Sequence, residues 1–233
     1  MRFIKAWISA LGLGACSSFL WAAGADQSSA SFKFLNFNIL NCRPFGPEED
    51  FLGYHEDYDD FTMRMDFLVE EIRRLNPDFM SLQEMTRCWF FNERKWLEVD
   101  RLIAQKTGYQ HVFWRSEGPR GLWEEGIAFY WKPDRVRFED IECAHLKTAH
   151  YTGPMKIVKS LCRGRATLAD GRSFFIYQTH LDTQRKYSEP QTREILSTIA
   201  RDHPDEPILF SGDFNNGPQS PSIAMVKDWF IGP

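Results

Sequence analysis

Apolar and polar positions change period several times along this chain, and each change marks an element. Ser31–Leu40 reads as a buried strand, followed by an acidic, Gly- and Pro-bearing surface loop over 42–60. From there Phe61, Met65, Leu68, Ile72 and Leu75 recur at helical spacing, which predicts one buried helix face capped by Asp59 or Asp60 and ended by Pro77. Phe79–Leu82 reads as a short buried strand, and residues 93–106 as a second helix stopped at Gly108. Further strands are predicted near 109–114, 126–131, 135–142, 160–168, 173–179 and 207–211, with a helix near 190–201 and another after Pro221. Strands this far from any helix connect as hairpins. The pattern therefore predicts a mixed α/β sandwich rather than a doubly wound parallel sheet.

Composition narrows the class. The 233 residues are 43% hydrophobic, 15% aromatic and 26% charged, which excludes a disordered chain, a collagen or a disulfide-knotted miniprotein. The formal charge is −4, so no broad electrostatic grip on nucleic acid or anionic membrane is expected. Residues 1–25 read as an export signal. Arg2 and Lys5 precede an uncharged run from Ala6 to Ala22, and Ala23-Gly24-Ala25 supplies small residues before Asp26. Two other readings stand beside simple secretion: Leu13-Gly14-Ala15-Cys16 as a lipobox that leaves the chain anchored through a lipidated Cys16, and an uncleaved anchor helix. Residues 26–233 then form one domain, expected to be a periplasmic or secreted monomer without a transmembrane span. Its four cysteines, Cys42, Cys88, Cys143 and Cys162, make an even set for an oxidising compartment, with three possible pairings and no C-x-x-C motif. Four inert thiols are the alternative.

Four predicted strands carry groups too polar for their surroundings. Asn38 sits inside Phe34–Ile39, Glu84 follows Phe79–Gln83, His180 follows Phe175–Thr179, and Asp213 and Asn215 follow Ile208–Gly212. A charge or amide at the edge of a core costs several kcal/mol unless it is paired or ligates something, roughly the penalty for burying an unpartnered polar group. Each has a plain structural explanation alone: a bulge at Asn38, a surface pair of Glu84 with Arg87 or Lys95, a hydrogen-bonded core His180, a turn at Gly212–Gly217. Four at equivalent places point to one shared site above a sheet edge.

Phe37-Asn38-Ile39, Pro77-Asp78 through Leu82-Gln83-Glu84, Thr179-His180-Leu181 and Gly212-Asp213-Phe214-Asn215 come in an order and spacing that resembles the endonuclease/exonuclease/phosphatase superfamily, the deoxyribonuclease-I-like metal-dependent phosphoesterases. Gly126-Ile127-Ala128-Phe129-Tyr130 is similar to that family's central strand, so the resemblance spans residues 32–217. It implies a four-layer α/β/β/α sandwich with two mixed sheets and a Mg²⁺- or Mn²⁺-dependent phosphodiester hydrolysis of nucleic acid, phospholipid or a small phosphate ester. It also implies Glu84 as principal metal ligand with Asn38 assisting, Asp213 and Asn215 orienting nucleophile and phosphate, and His180 hydrogen-bonding the phosphoryl oxygens or leaving group. One carboxylate beside an amide suits Mg²⁺, which keeps several waters. Thr179-His180-Leu181-Asp182 resembles the deoxyribonuclease I, sphingomyelinase and inositol-phosphatase side rather than the exonuclease-III-like repair enzymes. Trp89-Phe90-Phe91 and Trp123 read either as core or as a surface for bases or lipid.

The resemblance also sets an expectation about the far end. Family members continue after the Gly-Asp-x-Asn turn with an Asp and a Ser-Asp-His ending that carries the base, whereas here 18 residues without His follow Asn215. The closing strands are expected to be lacking, which would leave the strands of Asn38 and Asp213 with open edges. An impaired fragment or non-catalytic binding module of the same fold is the alternative reading. Cys42 and Cys88 each lie four residues beyond a site residue, and Cys143 and Cys162 flank a hairpin, so the pairs Cys42–Cys88 and Cys143–Cys162 are expected.

Overall fold

Two mixed sheets pack face to face, and each is covered on its outer side by two helices. The computed structural model describes residues 6–9, 31–42, 56–203 and 205–230. In chain order these form β1 (Ala6–Ser9), β2 (Phe34–Asn38), α1 (Tyr58–Leu75), β3 (Phe79–Phe90), β4 (Lys95–Glu98), α2 (Val99–Thr107), β5 (Gln110–Glu117), β6 (Trp123–Trp131), β7 (Val136–Thr152), β8 (Met155–Leu168), β9 (Ser173–His180), α3 (Arg185–Asp202), β10 (Ile208–Asp213) and α4 (Pro221–Trp229). One sheet runs β1-β10-β9-β8-β7; the other runs β2-β3-β6-β5, with β4 paired to β3. Parallel pairs (β1/β10, β10/β9, β2/β3) join antiparallel hairpins, which is the mixed sandwich that the hairpin spacing predicts.

Helix α1 shows why these residues choose this shape. Phe61, Met65, Val69 and Ile72 bury one stripe against Leu35, Met80 and Leu82 of the second sheet. The Asp57 side chain accepts the Asp60 N–H at 2.8 Å, and Arg73 and Arg74 close a helix whose first turn carries Asp59 and Asp60. The cap is therefore Asp57, and the helix begins inside the stretch read as loop. The rest of that loop, 43–55, lies outside the described residues, as do Cys16 and all of the leader except Ala6–Ser9.

The second predicted helix is shorter than its pattern. Residues 95–98 form β4, and only Val99–Thr107 is helical. Strand β3 runs past the site to Phe90 and folds back, setting Trp89 opposite Trp96 and Cys88 opposite Leu97. Arg87 pins the junction with two hydrogen bonds to Asp100, at 2.9 and 2.7 Å. Helix α3 starts at Arg185, earlier than predicted, and carries Pro190 inside it. Among the described residues one of the two edges expected to be open is covered: β1, from the stretch read as a leader, lies parallel along β10, pairing Ala6–Ser9 with Leu209–Gly212, and β2 is the edge of its sheet.

Between the sheets the filling changes along the strands. At one end Phe34, Phe79, Phe129, Phe138 and Ile176 make an apolar cluster. Two residues further along the same inner faces stand Asn36, Ser81, Gln178 and Ser211, all fully or nearly fully buried. They bond across the sandwich: the Ser81 and Ser211 hydroxyls share a hydrogen bond (3.1 Å), Asn36 Nδ2 donates to the Gly212 carbonyl (3.2 Å) and Gln178 Nε2 to the Leu82 carbonyl (2.7 Å), while Gln178 Oε1 has no partner. One more step of the pleat reaches Asn38, His180 and Asp213.

Candidate active site

Glu84 reaches the same place by breaking the pleat. In strict alternation it would follow Met80 and Leu82 toward the helix layer. The register of β3 against β6 instead shifts between Gln83 and Met85, Glu84 takes φ 56°, and Met85 fills the helix-side core in its stead. A bulge of this kind re-aims a side chain. Leu40 (φ 58°) and Asn215 (φ 47°) are also left-handed, so three of the described non-glycine residues that hold this costly conformation lie around one site. Gly212 allows the last step, since a Cβ there would stand 2.1 Å from the Thr179 carbonyl oxygen.

The five residues singled out from the sequence meet here. Asn38 Nδ2 donates to Glu84 Oε1 (2.7 Å) and to Asp213 Oδ2 (2.8 Å), while its Oδ1 accepts the Leu40 N–H (2.9 Å). Glu84 Oε2 accepts the Asn41 N–H at 3.0 Å. Asn215 N–H binds Asp213 Oδ1 at 2.8 Å. The Asn215 side chain donates to the Leu181 carbonyl and to His180 Nε2, both at 2.9 Å. That orientation makes His180 Nε2 an acceptor, so its proton sits on Nδ1, which lies 4.0 Å from Glu125 Oε1; Nε2 lies 4.0 Å from Glu84 Oε1. The implied donation from His180 to a phosphoryl oxygen thus needs Nε2 to change role.

Glu125, Lys159, Glu117 and Asn41 escaped the sequence reading. Asn41 Nδ2 donates to Glu125 Oε2, and Lys159 Nζ lies 2.9 Å from Glu117 Oε1 and 4.0 Å from Glu125 Oε1. All four are nearly buried. A lysine within Ile157–Leu161 and a glutamate just before Gly126 were the available signals. Phe90 is core, Trp123 donates its indole N–H to the Cys42 carbonyl, and Phe91 is exposed.

Electrostatics separates the two glutamates that approach His180. Burial opposes the Glu84 charge, but His180, the Asn38 amide, the Asn41 N–H and Lys159 outweigh it, holding the carboxyl below its ordinary range. Burial, reinforced by Lys159, lowers the His180 pKa and keeps the imidazole neutral at neutral pH. Burial raises Glu125 to about 8 against the pull of Lys159, with Glu84 and Glu117 adding to the rise.

The donor set fits a hard cation. Among the described residues no group of three or more His, Cys, Asp and Glu gathers as a metal cage. What gathers is the pair of carboxylates Glu84 and Asp213 with amides between and beside them, and buried Asn41 Oδ1 has no hydrogen-bond partner. Mg²⁺ favours oxygen, tolerates few protein ligands and keeps its waters.

The sulfurs of Cys42 and Cys88 are bonded, with Cα atoms 7.1 Å apart, as are those of Cys143 and Cys162, which face each other across β7 and β8 with Cα atoms 4.1 Å apart.

Comparison with known proteins agrees with this architecture. The model of the Endonuclease/Exonuclease/phosphatase family matches residues 35–227. Nocturnin of Drosophila melanogaster is 23% identical over 214 residues, 87% of this chain and 31% of the relative. A conserved protein of unknown function from Enterococcus faecalis superposes with a TM-score of 0.64 at 16% identity, covering 84% of this chain and 71% of that one. D. rerio TDP2, solved with a single-strand DNA product, gives a TM-score of 0.55 at 18% identity, covering 84% and 64%. The chain spans between 31% and 58% of the length of the curated relatives it matches.

Proposed function

The chain belongs to the endonuclease/exonuclease/phosphatase family, and from that premise we propose that it is an exported phosphoesterase, dependent on Mg²⁺ or Mn²⁺, that hydrolyses a phosphodiester. The observation that carries this reading is the bulge that turns an ionised Glu84 into the cluster of Asn38, His180, Asp213 and Asn215. Glu84 would hold the metal with the unpartnered amide oxygen of Asn41, or with that of Asn38 after its amide turns, since Asn38 presents Nδ2 to Glu84 and gives its oxygen to the Leu40 N–H. When bound, the metal supplies Lewis acidity toward the phosphoryl oxygens. Asp213, fixed by the Asn215 N–H, orients the nucleophilic water, and the Asn215 and His180 pair, backed by Glu125, shapes the phosphate pocket. The two disulfides support an oxidising destination. No helix among the described residues is long and apolar enough to cross a membrane.

The test is a panel of DNA, RNA, sphingomyelin and inositol phosphates with Mg²⁺, run against EDTA. Turnover of one member that EDTA abolishes is the expected result, and the member cleaved names the substrate class. Binding of Mg²⁺ without turnover of any member would replace the enzyme by a binding module of the same fold.

A further inference from the structure

The segment that follows β2 brings Asn41 to the site, and a covalent bond closes immediately behind it. Ile39 N–H binds the Gln83 carbonyl at 3.0 Å, Arg64 Nη1 donates to the Ile39 and Leu40 carbonyls at 2.6 and 3.0 Å, and Leu40 takes φ 58°. Asn41 comes next. Its N–H donates to Glu84 Oε2 at 3.0 Å and its Nδ2 to Glu125 Oε2, so both of these hydrogen bonds end on carboxylates of the site. Its buried Oδ1 has no hydrogen-bond partner. A cation drawing on Glu84 competes with the first of those bonds. The tie that does not compete is Cys42, bonded to Cys88 four residues beyond Glu84 on the same strand β3. Both cysteines are fully buried. Trp123 closes the same corner, since it is the β6 partner of Cys88 and donates its indole N–H to the Cys42 carbonyl at 3.1 Å. Asn41 therefore lies between two ties to β3, the Ile39–Gln83 hydrogen bond before it and the disulfide after it. Cys143–Cys162 holds no such position: it joins register partners of β7 and β8 within one sheet.

We propose that the Cys42–Cys88 disulfide is the positioning element of the metal site and acts through Asn41. Closing the bond seats the Asn41 amide beside Glu84, and the chain without it holds Mg²⁺ poorly. The proposal rests on the reading of Glu84 and Asn41 as metal ligands. Forming the bond takes two electrons and two protons from the two thiols and passes them to the disulfide of an exchange partner, which leaves as a dithiol. Both sulfurs are buried in the folded chain, so this exchange belongs to folding.

The experiment uses the full chain as wild type, Glu84→Gln, Asn41→Ala, Cys42→Ala/Cys88→Ala and, as control, Cys143→Ala/Cys162→Ala. Each is titrated calorimetrically with Mg²⁺ and, without metal, followed by amide hydrogen exchange. Loss of the Cys42–Cys88 bond should weaken Mg²⁺ binding about tenfold, as losing a supporting group does, while the control pair should stay within about twofold of wild type. Without metal, the Asn41 amide should exchange at least about tenfold faster in Cys42→Ala/Cys88→Ala than in the control, because its local opening is no longer tethered. Asn41→Ala should itself weaken Mg²⁺ about tenfold, and adding it to the disulfide-free chain should cost less than about threefold more, since the two act as one. Cys42→Val/Cys88→Ala, which refills apolar volume, stands in if the alanine pair does not fold. Mg²⁺ affinity falling alike in both double variants, or an Asn41→Ala chain that binds as wild type, overturns the positioning role and leaves Glu84 as the ligand. Glu84→Gln binding Mg²⁺ as wild type does overturns the metal reading and the proposal together.

Discussion

Asn38 and Asp213 belong to different sheets, yet Asn38 Nδ2 donates to Asp213 Oδ2 at 2.8 Å, and the same nitrogen reaches Glu84 Oε1 at 2.7 Å. A neutral amide therefore separates two carboxylates and ties the two sheets together at the end that holds the candidate site.

Asn38→Ala removes both hydrogen bonds and leaves the carboxylates facing each other. The expected loss is about 1–3 kcal/mol, the cost of unmaking partly buried polar contacts. Asn38→Asp, which adds a third carboxylate, should lose more. Urea unfolding of both variants checks the order, and equal midpoints for all three proteins would remove the tie from the account.

Glu84→Gln keeps the shape of the side chain but not its charge. Calorimetric titration with Mg²⁺ should show affinity at least roughly tenfold weaker than wild type, since the proposed hard anionic ligand is gone. Like affinities would place the cation elsewhere.

The left-handed backbone at Glu84 makes a separate prediction about stability. Glu84→Gly and Glu84→Ala delete the same carboxylate, but only glycine adopts φ 56° without strain. Glu84→Gly should be the more stable of the two by about 1 kcal/mol, although glycine is ordinarily the poorer strand residue. Thermal unfolding side by side decides it.

Asp100 links acid to unfolding. Burial opposes its charge, but hydrogen bonds from His111 and Arg87 outweigh that, holding the carboxyl below its ordinary value in the folded chain. A carboxyl depressed by folding adds stability that is present above its unfolded pKa of about 3.9 and lost as pH falls through the folded value. Wild type should therefore weaken below about pH 4. Asp100→Asn should already be less stable at pH 7 by about 2–4 kcal/mol, for breaking a buried pair, and decline less steeply between about pH 5 and 3. Denaturation midpoints across that range test the slope; parallel curves would exclude Asp100.

The disulfides close stretches of 46 and 19 residues. Loop-closure entropy assigns about 4 kcal/mol to Cys42–Cys88 and about 3 kcal/mol to Cys143–Cys162. Cys→Ala double variants of each pair should lose stability in that order. A protein indifferent to reductant would show that the bonds do not form in solution.

Much of the molecule is legible one segment at a time. The stripe Phe61, Met65, Ile72 specifies α1, because a helix buries one face at a fixed period and needs no partner to define that period. Asn38, His180, Asp213 and Asn215 stand out for a similar reason: each is a polar group at or just past the end of an apolar strand, and His180 and Asp213 stay buried there. Residues 95–98 were not decidable that way. Trp96 and Leu97 suit either element, and pairing with β3 made them a strand.

Where Glu84 points was likewise beyond the sequence, because its bulge exists only in the register of β3 against β6. Glu125 and Lys159 come from strands distant in the chain, β6 and β8, and within its own segment each is only a single charge beside apolar residues. Hydrophobic period belongs to a single stretch of chain, and it announced most of the elements, while the polar groups that interrupt it marked the candidate site. Register, bulges and buried charge pairs belong to two stretches at once, so only the packed sandwich determined which carboxylate turns inward and which histidine stands beside it.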